Sequence, residues 1–501
     1  MTLYPKRSEF LALARTYNLI PVYREILADM ETPVSALNKL GADKCAYLLE
    51  SVEGGEKLGR YSFLGVSARR HFYSFGSQVT VEEAGESRTF ISADPLEALA
   101  ALLHRFRPAS FPGLPRFIGG AVGYIAYDMV KCFERLTGRP KAAQPTLPDC
   151  YFYLTDCLLI FDHTTRRLKI LVNAEVPDPA SAGRVYEEAA ATIDDYIRKL
   201  SAEPGVGPLL SIPMKDAPRA ALPALTSTFT KEDFMAATVR AKEYIAAGEA
   251  FQIVLSQRLA MPVTAPPFLV YRLLRALNPS PYLFYLQFPR FALIGSSPEV
   301  MVRLEDGEAV LRPIAGTRPR GENQANDIEL AQELLRDEKE LAEHTMLVDL
   351  GRNDLGRVCS YGSVQVDEYL AVERYSHVMH LVSNIKGRLA PGYDAFALLR
   401  ATFPAGTVSG APKIKAMEII DELEPVKRGP YAGAVGYFSF NGNMDTCITI
   451  RTIVMADGYA YLQAGAGIVA DSDPEKEYEE TRHKAQALIK TIELAEGAIR
   501  P

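Results

Sequence analysis

Tryptophan is absent from the sequence, and cysteine and histidine are scarce, with six and seven copies among 501 residues. No two cysteines are spaced as C-x-x-C, and too few histidines lie near them to complete a zinc site. We therefore expect neither a disulfide framework nor a structural zinc. The cysteines are typical of scattered thiols in a reducing compartment.

The sequence also lacks a basic block and a long apolar run. Lysine and arginine number 55 against 62 aspartates and glutamates, a formal charge of −7, so we expect neither a nucleic-acid nor a membrane partner. The longest weakly charged apolar stretch, Phe117–Val130, is too short and too rich in glycine to span a bilayer. The segment Met1–Arg7 has no signal-peptide core, and we expect a cytoplasmic protein.

What is present is the composition of an ordinary globular protein, 48% hydrophobic and 23% charged, with a length that suggests two or three domains. The clearest seam is 201–228, which holds five prolines among small residues and cannot form a helix or a central strand. We interpret it as a linker between a smaller N-terminal region, 1–200, and a C-terminal domain, 229–501.

Turn and periodicity patterns after the seam indicate the fold class. The dipeptides Asn-Gly at 441–442 and Asp-Gly at 457–458 lie between β-rich runs and predict tight hairpins. Alternation over 251–259 predicts a strand, and 325–344 is predicted as one helix. Hairpins together with separated helices predict an α+β fold, with an antiparallel β-sheet core and surrounding helices.

Two predicted helices each carry a pair of acids. Glu340 and Glu343 are three residues apart and hence on one helix face, and Glu477 and Glu480 repeat this spacing in the last helix. Such pairs are usually solvated surface. Two helices that presented them to one cleft would suit Mg²⁺, which prefers oxygen ligands. Spacing alone leaves both interpretations open.

Other positions could belong to a ligand site or to plain structure. The glycines within 463–467 could bring backbone N–H groups close to an anion, or form a simple bend. Arg451, predicted within a strand, needs a carboxylate from a ligand or from the chain itself. His380, also predicted within a strand, is of a type that is more often a core residue than a catalyst. Gly316 and Thr317 by themselves indicate a turn.

Four longer runs of the sequence resemble the chorismate-utilising enzymes, in the order that this family shows, over 230–494. They are Arg312-Pro-Ile-Ala-Gly-Thr-Arg-Pro-Arg-Gly321, Glu343-His-Thr-Met-Leu-Val-Asp-Leu-Gly-Arg-Asn-Asp-Leu-Gly356, Phe403-Pro-Ala-Gly-Thr-Val-Ser-Gly-Ala-Pro-Lys413, and Gly465-Ala-Gly467 followed by Glu480-Thr-Arg482. The N-terminal half resembles, less closely, the regulatory part of the component I anthranilate synthases. The runs there are Leu48-Leu-Glu-Ser51 and Gly59-Arg-Tyr-Ser62.

The resemblance implies that chorismate binds with Mg²⁺ in a deep cleft of the C-terminal domain. Glu343 and Glu480 match the Mg²⁺-binding acids of the family, and His380 and Thr407 match groups close to the reacting ring. The positions that match its chorismate contacts are Gly316, Thr317, Tyr431, Arg451, Gly465, Ala466 and Gly467. One chorismate carboxylate would then meet Mg²⁺ and the other Arg451, with His380 to supply or orient the proton for the leaving 4-hydroxyl.

Two lysines that define other reactions in this family are missing. Aminodeoxychorismate synthases carry a nucleophilic lysine just before the Gly-Thr pair, where this chain has Ala315. Members that add water carry a lysine base where this chain has Gln252. The resemblance therefore implies addition of ammonia, loss of the 4-hydroxyl and elimination of pyruvate, which gives anthranilate. No cysteine lies in the Gly-rich elbow of a glutaminase, so a separate glutamine amidotransferase subunit (component II), and a hetero-oligomer, are implied.

The resemblance also implies feedback inhibition by tryptophan, as expected for the first committed step of tryptophan biosynthesis. It assigns the inhibitor site to Ser51, Pro281, Tyr282 and Leu283, although the preceding Asn-Pro pair alone would be a plain helix stop. Two alternatives stay open. One is component I of aminodeoxychorismate synthase, which the alanine at the lysine position disfavours. The other is a non-catalytic tryptophan sensor, which would have no use for the metal-binding acids.

Overall fold

The structure is a computed structural model that describes residues 2–42, 46–51, 59–66, 68–136, 141–143, 145–202, 225–374 and 378–499. The α-helices of these residues are α1 Arg7–Leu13, α2 Pro33–Leu40, α3 Pro95–Leu103, α4 Val130–Phe133, α5 Ala182–Ser201, α6 Lys231–Ala246, α7 Pro267–Leu277, α8 Gln324–Leu334, α9 Glu338–Gly356, α10 Ala395–Thr402, α11 Lys413–Leu423 and α12 Pro474–Ile499. The strands are β1 Leu19–Leu27, β2 Ala46–Glu50, β3 Tyr61–Val66, β4 Arg70–Phe75, β5 Gln78–Glu83, β6 Glu86–Ile91, β7 Gly120–Ile125, β8 Cys150–Leu154, β9 Cys157–Asp162, β10 Arg167–Glu175, β11 Thr226–Ser227, β12 Gln252–Pro262, β13 Tyr282–Gln287, β14 Phe291–Ser297, β15 Val300–Glu305, β16 Glu308–Leu311, β17 Ile314–Pro319, β18 Gln365–Arg374, β19 Val378–Arg388, β20 Gly410–Ala411, β21 Ala434–Ser439, β22 Met444–Ile448, β23 Thr452–Ala456 and β24 Tyr459–Ile468.

The strands form two sheets of twelve, and their pairs are antiparallel. The first runs β1-β10-β9-β3-β2-β13-β14-β23-β24-β12-β11, with β20 also on β12. The second runs β17-β19-β16-β15-β22-β21-β7-β8-β4-β5-β6, with β18 also on β19. The predicted hairpins at 441–442 and 457–458 join β21 to β22 and β23 to β24. The α+β prediction with an antiparallel core is confirmed.

The two sheets face each other and are covered by helices. An aromatic core between them includes Phe63 of the first sheet and Tyr437 of the second. A second core packs helices such as α5, α7 and α12 on the outer face of the first sheet, and a third packs α3, α9 and α10 on that of the second. No helix among the described residues is long and apolar enough to cross a membrane.

Both sheets contain strands from before and after the Pro-rich stretch. In the first sheet β2 pairs with β13, so that Glu50 lies opposite Leu283. In the second, β7 pairs with β21. The two halves of the chain are thus joined strand to strand. Residues 203–224, most of the predicted linker, lie outside the described residues, and the proposed division 1–200, 201–228 and 229–501 stays a prediction.

The single helix predicted over 325–344 is wrong in one respect, because the structure divides it into α8 and α9. Asp337 caps α9, since its carboxylate accepts the backbone N–H groups of Lys339 at 3.1 Å and Glu340 at 3.2 Å. The break falls in a charged run, 336–340, that contains neither glycine nor proline, so no helix-breaking residue revealed it. The cap starts a new helix immediately before the first acid pair, and Glu340 lies in its first turn.

Candidate active site

One wall of the site is the edge where β17 pairs with β19. Thr317 lies opposite His380, next to an irregularity in the ladder after Ala315. The His380 Nδ1 atom is 3.0 Å from Thr317 Oγ1 and 3.1 Å from the carbonyl oxygen of Gly316. Gly316 has φ +72°, and a Cβ there would lie 3.2 Å from a carboxylate oxygen of Glu340. The predicted Gly316, Thr317 and His380 are therefore brought together beside the first acid pair.

Burial lowers the pKa of His380, and the positive charge of Arg451 lowers it further against the opposing Gly316 carbonyl. An imidazole in this setting is neutral at physiological pH. It is suited to accept or orient a proton more than to donate one. Because the charge of Arg451 acts on His380, the two side chains lie near each other.

Helix α9 carries the first acid pair and helix α12 carries the second. Burial, and then the charge of Glu343, raise the pKa of Glu340. In α12, burial and then the charge of Glu480 raise the pKa of Glu477. Lys339 of α9 lowers the pKa of Glu477, so its charge acts across the gap between the helices. Glu340 and Glu477 are thus partly desolvated, whereas Glu480 is exposed and forms an ion pair with Lys484.

The predicted glycine segment lies between the two acid pairs. Glu343 accepts a hydrogen bond from Gln252 Nε2 at 2.8 Å, and a Cβ on Gly467 would lie 2.8 Å from that same nitrogen. On the other side Lys484 is 2.6 Å from Glu480 and donates to the carbonyl of Gly465 at 3.0 Å. The end of β24 is therefore flanked by one acid of each pair.

The chemistry of this donor set fits Mg²⁺, which takes one or two protein carboxylates and completes its shell with waters and substrate oxygens. Glu343 and Glu480 could supply such a pair, and the neighbouring Glu340 and Glu477 have pKa values that burial raises. No group of three or more histidine, cysteine, aspartate or glutamate side chains gathers at metal-binding distance among the described residues.

Arg451 is not within a strand, as predicted, but in the connection between β22 and β23, with φ +51°. The left-handed backbone turns its guanidinium toward α12, where Nη1 donates to the carbonyl of Lys484 at 2.5 Å. Burial lowers the pKa of Arg451, opposed by Tyr431 and Glu480. No carboxylate of the described residues lies within 4.0 Å of it. A buried guanidinium with free donors is a natural partner for a ligand carboxylate.

Tyr431 and the middle of β24 complete this wall. A Cβ on Gly465 would lie 2.7 Å from Tyr431 Oη, so the glycine leaves room for the phenol. Burial raises the pKa of Tyr431 to about 12, so the hydroxyl is a neutral donor. Ala466 is buried and lies opposite Leu255 in the β12–β24 ladder. Tyr431 and the Gly465–Gly467 segment therefore lie side by side.

The sequence patterns missed Glu299, which lies directly before β15. Thr407 Oγ1 donates to Glu299 Oε1 at 2.8 Å, which brings the predicted Thr407 to this acid. Glu299 is 8% exposed, and burial raises its pKa to about 8 although Thr407 and Lys484 both lower it. At neutral pH this carboxyl is mostly protonated. A signal was available, because Glu299 is the one charged residue of the apolar segment 291–302.

A separate cavity of about 410 Å³ contains all four predicted inhibitor-site residues. Its walls include Ser51, Pro281, Tyr282 and Leu283, together with Asp445. The hydroxyl oxygen of Ser51 is buried and has no hydrogen-bond partner among the described residues. Tyr282 Oη donates to Asp445 Oδ1 at 2.9 Å. Ser51 and the segment 281–283 thus line the same cavity, as the sequence analysis predicted.

Comparison with known proteins identifies the family to which this fold belongs. A family profile described as chorismate binding enzyme matches residues 45–490. Anthranilate synthase component 1 from Acetivibrio thermocellus is 48% identical over 99% of this chain and 100% of its own length, and that from Aquifex aeolicus is 49% identical over 99% of each. The crystal structure of anthranilate synthase component I from Streptococcus pneumoniae superposes with a TM-score of 0.75 at 36% identity, over 92% of this chain and 98% of that one.

The same fold also occurs in an enzyme with a different activity. A menaquinone-specific isochorismate synthase from Escherichia coli superposes with a TM-score of 0.68 over 97% of this chain at 20% identity, which shows a common fold. The fold and cleft thus define a chorismate-binding enzyme. Within that class, the chain belongs to the anthranilate synthase component 1 family.

Proposed function

We propose that the chain is the Mg²⁺-dependent aminase that converts chorismate and ammonia into anthranilate, pyruvate and water. The balance closes, because the ammonia nitrogen enters the ring, the 4-hydroxyl leaves as water and the enolpyruvyl group leaves as pyruvate. The observation that carries the proposal is the protonated Glu299 in the same cleft as the unpaired Arg451. That cleft offers a buried acid and a buried cation for one dianionic substrate.

The site has two separate places for the two substrate carboxylates. Arg451, Tyr431 and the backbone of Gly465–Gly467 would bind one of them through charged and neutral hydrogen bonds. Glu343 and Glu480 would hold Mg²⁺, and the bound ion would supply positive charge for the other carboxylate and for charge that develops on the ring. This division orients the ring between the two acid-bearing helices and β24.

Glu299 is a better proton donor for the leaving 4-hydroxyl than His380. Its pKa of about 8 keeps the proton on the carboxyl at neutral pH, whereas the pKa of His380 is lowered. General acids work best when their pKa lies near the working pH. We assign His380 to orienting the Gly316–Thr317 edge, to which it is hydrogen-bonded, and Thr407 to holding Glu299.

Gln252 supports ammonia, and not water, as the nucleophile. Its Nε2 donates to Glu343, and its Oε1 is buried without a hydrogen-bond partner among the described residues. A carboxamide oxygen can accept an N–H of ammonia but is too weak a base to deprotonate water. Ala315 offers no nucleophile for the aminodeoxychorismate reaction, which leaves that alternative without support.

The ammonia would come from a separate glutamine amidotransferase subunit, component II. Burial raises the pKa of Cys132, Cys150, Cys157, Cys359 and Cys447. A glutaminase needs an activated thiolate, so these thiols are unsuited to that chemistry. Cys45 lies outside the described residues.

We further propose that tryptophan binds in the Ser51 cavity and inhibits the enzyme, as a step at the head of tryptophan biosynthesis requires. The cavity combines the unpartnered Ser51 hydroxyl and charged side chains with apolar and aromatic walls. An amino acid with an indole side chain matches both parts. A volume of about 410 Å³ leaves room for it.

The deciding experiment incubates the purified chain with chorismate, Mg²⁺ and ammonium at alkaline pH and follows anthranilate fluorescence. We expect turnover with ammonium and none with glutamine alone. Omission of Mg²⁺ serves as the control. Robust glutamine-dependent turnover by the single chain would contradict the need for component II, and failure with ammonium would contradict the reaction itself.

A further inference from the structure

A third cavity, which we call the Arg258 cavity, lies between the two sheets behind Tyr431. It measures about 170 Å³, and its walls include Arg258 of β12, Gln463 of β24, Thr449 and Asp128. Tyr431 also lines it, so the phenol ring divides this cavity from the chorismate cleft. None of the residues assigned to catalysis or to tryptophan binding, apart from Tyr431, lines it.

Arg258 is a buried cation without a carboxylate partner. Its side chain is enclosed, with 8% of the residue exposed, and burial lowers its pKa. Nη1 donates to the carbonyl oxygen of Lys427 at 3.1 Å, and no carboxylate of the described residues comes within 4.0 Å. Glu424 is not available, because Arg428 Nη2 and Nε already bind it at 2.6 and 2.9 Å. The charges of Asp128 and Glu424 act on Arg258 only from a distance, so the guanidinium is open to a direct ion pair with a small anion.

Two neutral groups in the same wall lack hydrogen-bond partners among the described residues. They are Thr449 Oγ1, in a fully buried residue, and Gln463 Oε1, in a residue that is 9% exposed. The orientation of the Gln463 amide is fixed, because its Nε2 donates to Ser256 Oγ at 2.8 Å while Ser256 donates to Glu424. The amide oxygen therefore needs an external N–H or O–H donor.

The remaining charged groups of the wall limit the charge that a ligand of this cavity can carry. Asp128 accepts the backbone N–H of Gly429 at 2.8 Å, and Asp149 accepts that of Gly76 at 2.6 Å. Burial raises the pKa of Asp128. Lys427 contributes a further positive charge. Because the two acids disfavour a dianion such as phosphate, a monoanion that also carries a hydrogen-bond donor fits best.

We propose that the Arg258 cavity binds a small hydroxy or amino carboxylic acid. The carboxylate would pair with Arg258, and the hydroxyl or amino group would donate to Gln463 Oε1. A cavity of roughly 150 Å³ holds a benzene-sized guest, so the ligand has only a few heavy atoms. Thr449 lies two residues before Arg451, and Gln463 lies two residues before Gly465. A bound ligand would therefore also affect the chorismate cleft, through Tyr431.

The test is calorimetric titration of the full chain with glycolate and with glycine, without chorismate or turnover. We expect saturable binding of at least one of them and much weaker binding of acetate, which lacks a donor, and of phosphate, which is a dianion. The two probes distinguish the hydroxy from the amino class. Equal binding of acetate and glycolate, or binding of none of these probes, would overturn the proposal.

Variants locate the site. Arg258→Met should weaken binding of the preferred probe by roughly tenfold or more, as expected for loss of a charged hydrogen bond, and Gln463→Met should weaken it less. Ser51→Phe and Arg290→Lys should leave it unchanged, because neither residue lines the Arg258 cavity. Loss of binding in either of these two would place the ligand elsewhere and overturn the assignment. Because binding is measured directly, the result stands apart from that of the anthranilate assay.

Discussion

The chorismate cleft and the Ser51 cavity differ in how their charges are satisfied. In the cleft, burial raises the pKa values of Glu299, Glu340 and Glu477, and a neighbouring glutamate raises those of Glu340 and Glu477 further. In the Ser51 cavity two acids form short ion pairs, Glu50 with Arg275 at 2.9 Å and Asp445 with Arg116 at 2.6 Å. Acids with raised pKa values suit proton transfer, whereas acids held in short ion pairs suit a fixed recognition surface.

The two regions also differ in where their residues come from. The cleft is built from residues after 229, whereas the Ser51 cavity joins β2 to β13 and so spans both halves of the chain. One strand connects them. Asp445 of β22 lines the cavity, and Arg451 follows the same strand into the cleft. An occupant of the cavity could bias the cleft only through such shared elements, with different affinity for two arrangements of them.

The largest expected effect is loss of the metal acids. Glu343→Gln and Glu480→Gln should each abolish anthranilate formation and weaken Mg²⁺ binding measured by calorimetry, because the site depends on so few protein ligands. Glu338→Gln, an exposed position on the same helix α9, is the matched control. Unchanged Mg²⁺ affinity in either variant would return that acid to ordinary surface charge and weaken the contrast between the two regions.

The next largest effect concerns the buried acid. Glu299→Gln should lower kcat by about 10²–10⁴, the range for loss of a general acid. Because the pKa of Glu299 is raised to about 8, the proton is present below that pH and lost above it. The rate of the parent, measured at constant free ammonia, should therefore fall as pH rises through about 8. A variant that kept this limb of the profile would show that another group donates the proton.

A smaller loss is expected for substrate anchoring. Arg451→Lys keeps the positive charge but loses the planar fork of donors. It should weaken kcat/KM for chorismate by about 2–5 kcal/mol, as for a truncated buried charge pair. Arg290→Lys, at the turn between β13 and β14, is the control. Parent-like kinetics of Arg451→Lys would make Arg451 a structural residue.

The smallest effect on turnover is expected in the Ser51 cavity. Ser51→Phe should leave basal activity close to that of the parent and abolish inhibition by tryptophan, because the larger side chain fills the cavity. The measurement is the rate of anthranilate formation against tryptophan concentration for both proteins. Equal inhibition of the parent and of Ser51→Phe, or a parent that tryptophan does not inhibit, would show that the Ser51 cavity is not a regulatory site.

Local patterns predicted much of the fold, because hairpins and amphipathic helices are specified by neighbouring residues. The Asn-Gly and Asp-Gly turns, which join β21 to β22 and β23 to β24, are examples. The order of strands in the sheets was not predicted, because the partner of a strand is chosen by packing over long distances. The break before α9 was missed because Asp337 was not recognised as a cap.

The site was predicted where residues lie in long family-like runs, and missed where the chemistry depends on burial. Glu299 is an ordinary glutamate in the sequence, and its pKa of about 8 arises from enclosure by residues distant along the chain. Arg451 was assigned to the wrong local structure, and its role in the site stays a prediction. Its neighbours alternate like a strand, whereas the backbone turns into the left-handed region at this residue.

The sharing of both sheets by the two halves also has a consequence for biosynthesis of the chain. Ala121 of β7 pairs with Phe438 of β21, more than 300 positions later. The two strands can therefore pair only after nearly the whole chain has been synthesised. Contacts so distant along the chain make folding slow, and a nascent N-terminal half presents the unpaired edges of β2 and β7. We expect that half, made alone, to aggregate or to depend on chaperones, and the intact chain to unfold as one cooperative unit.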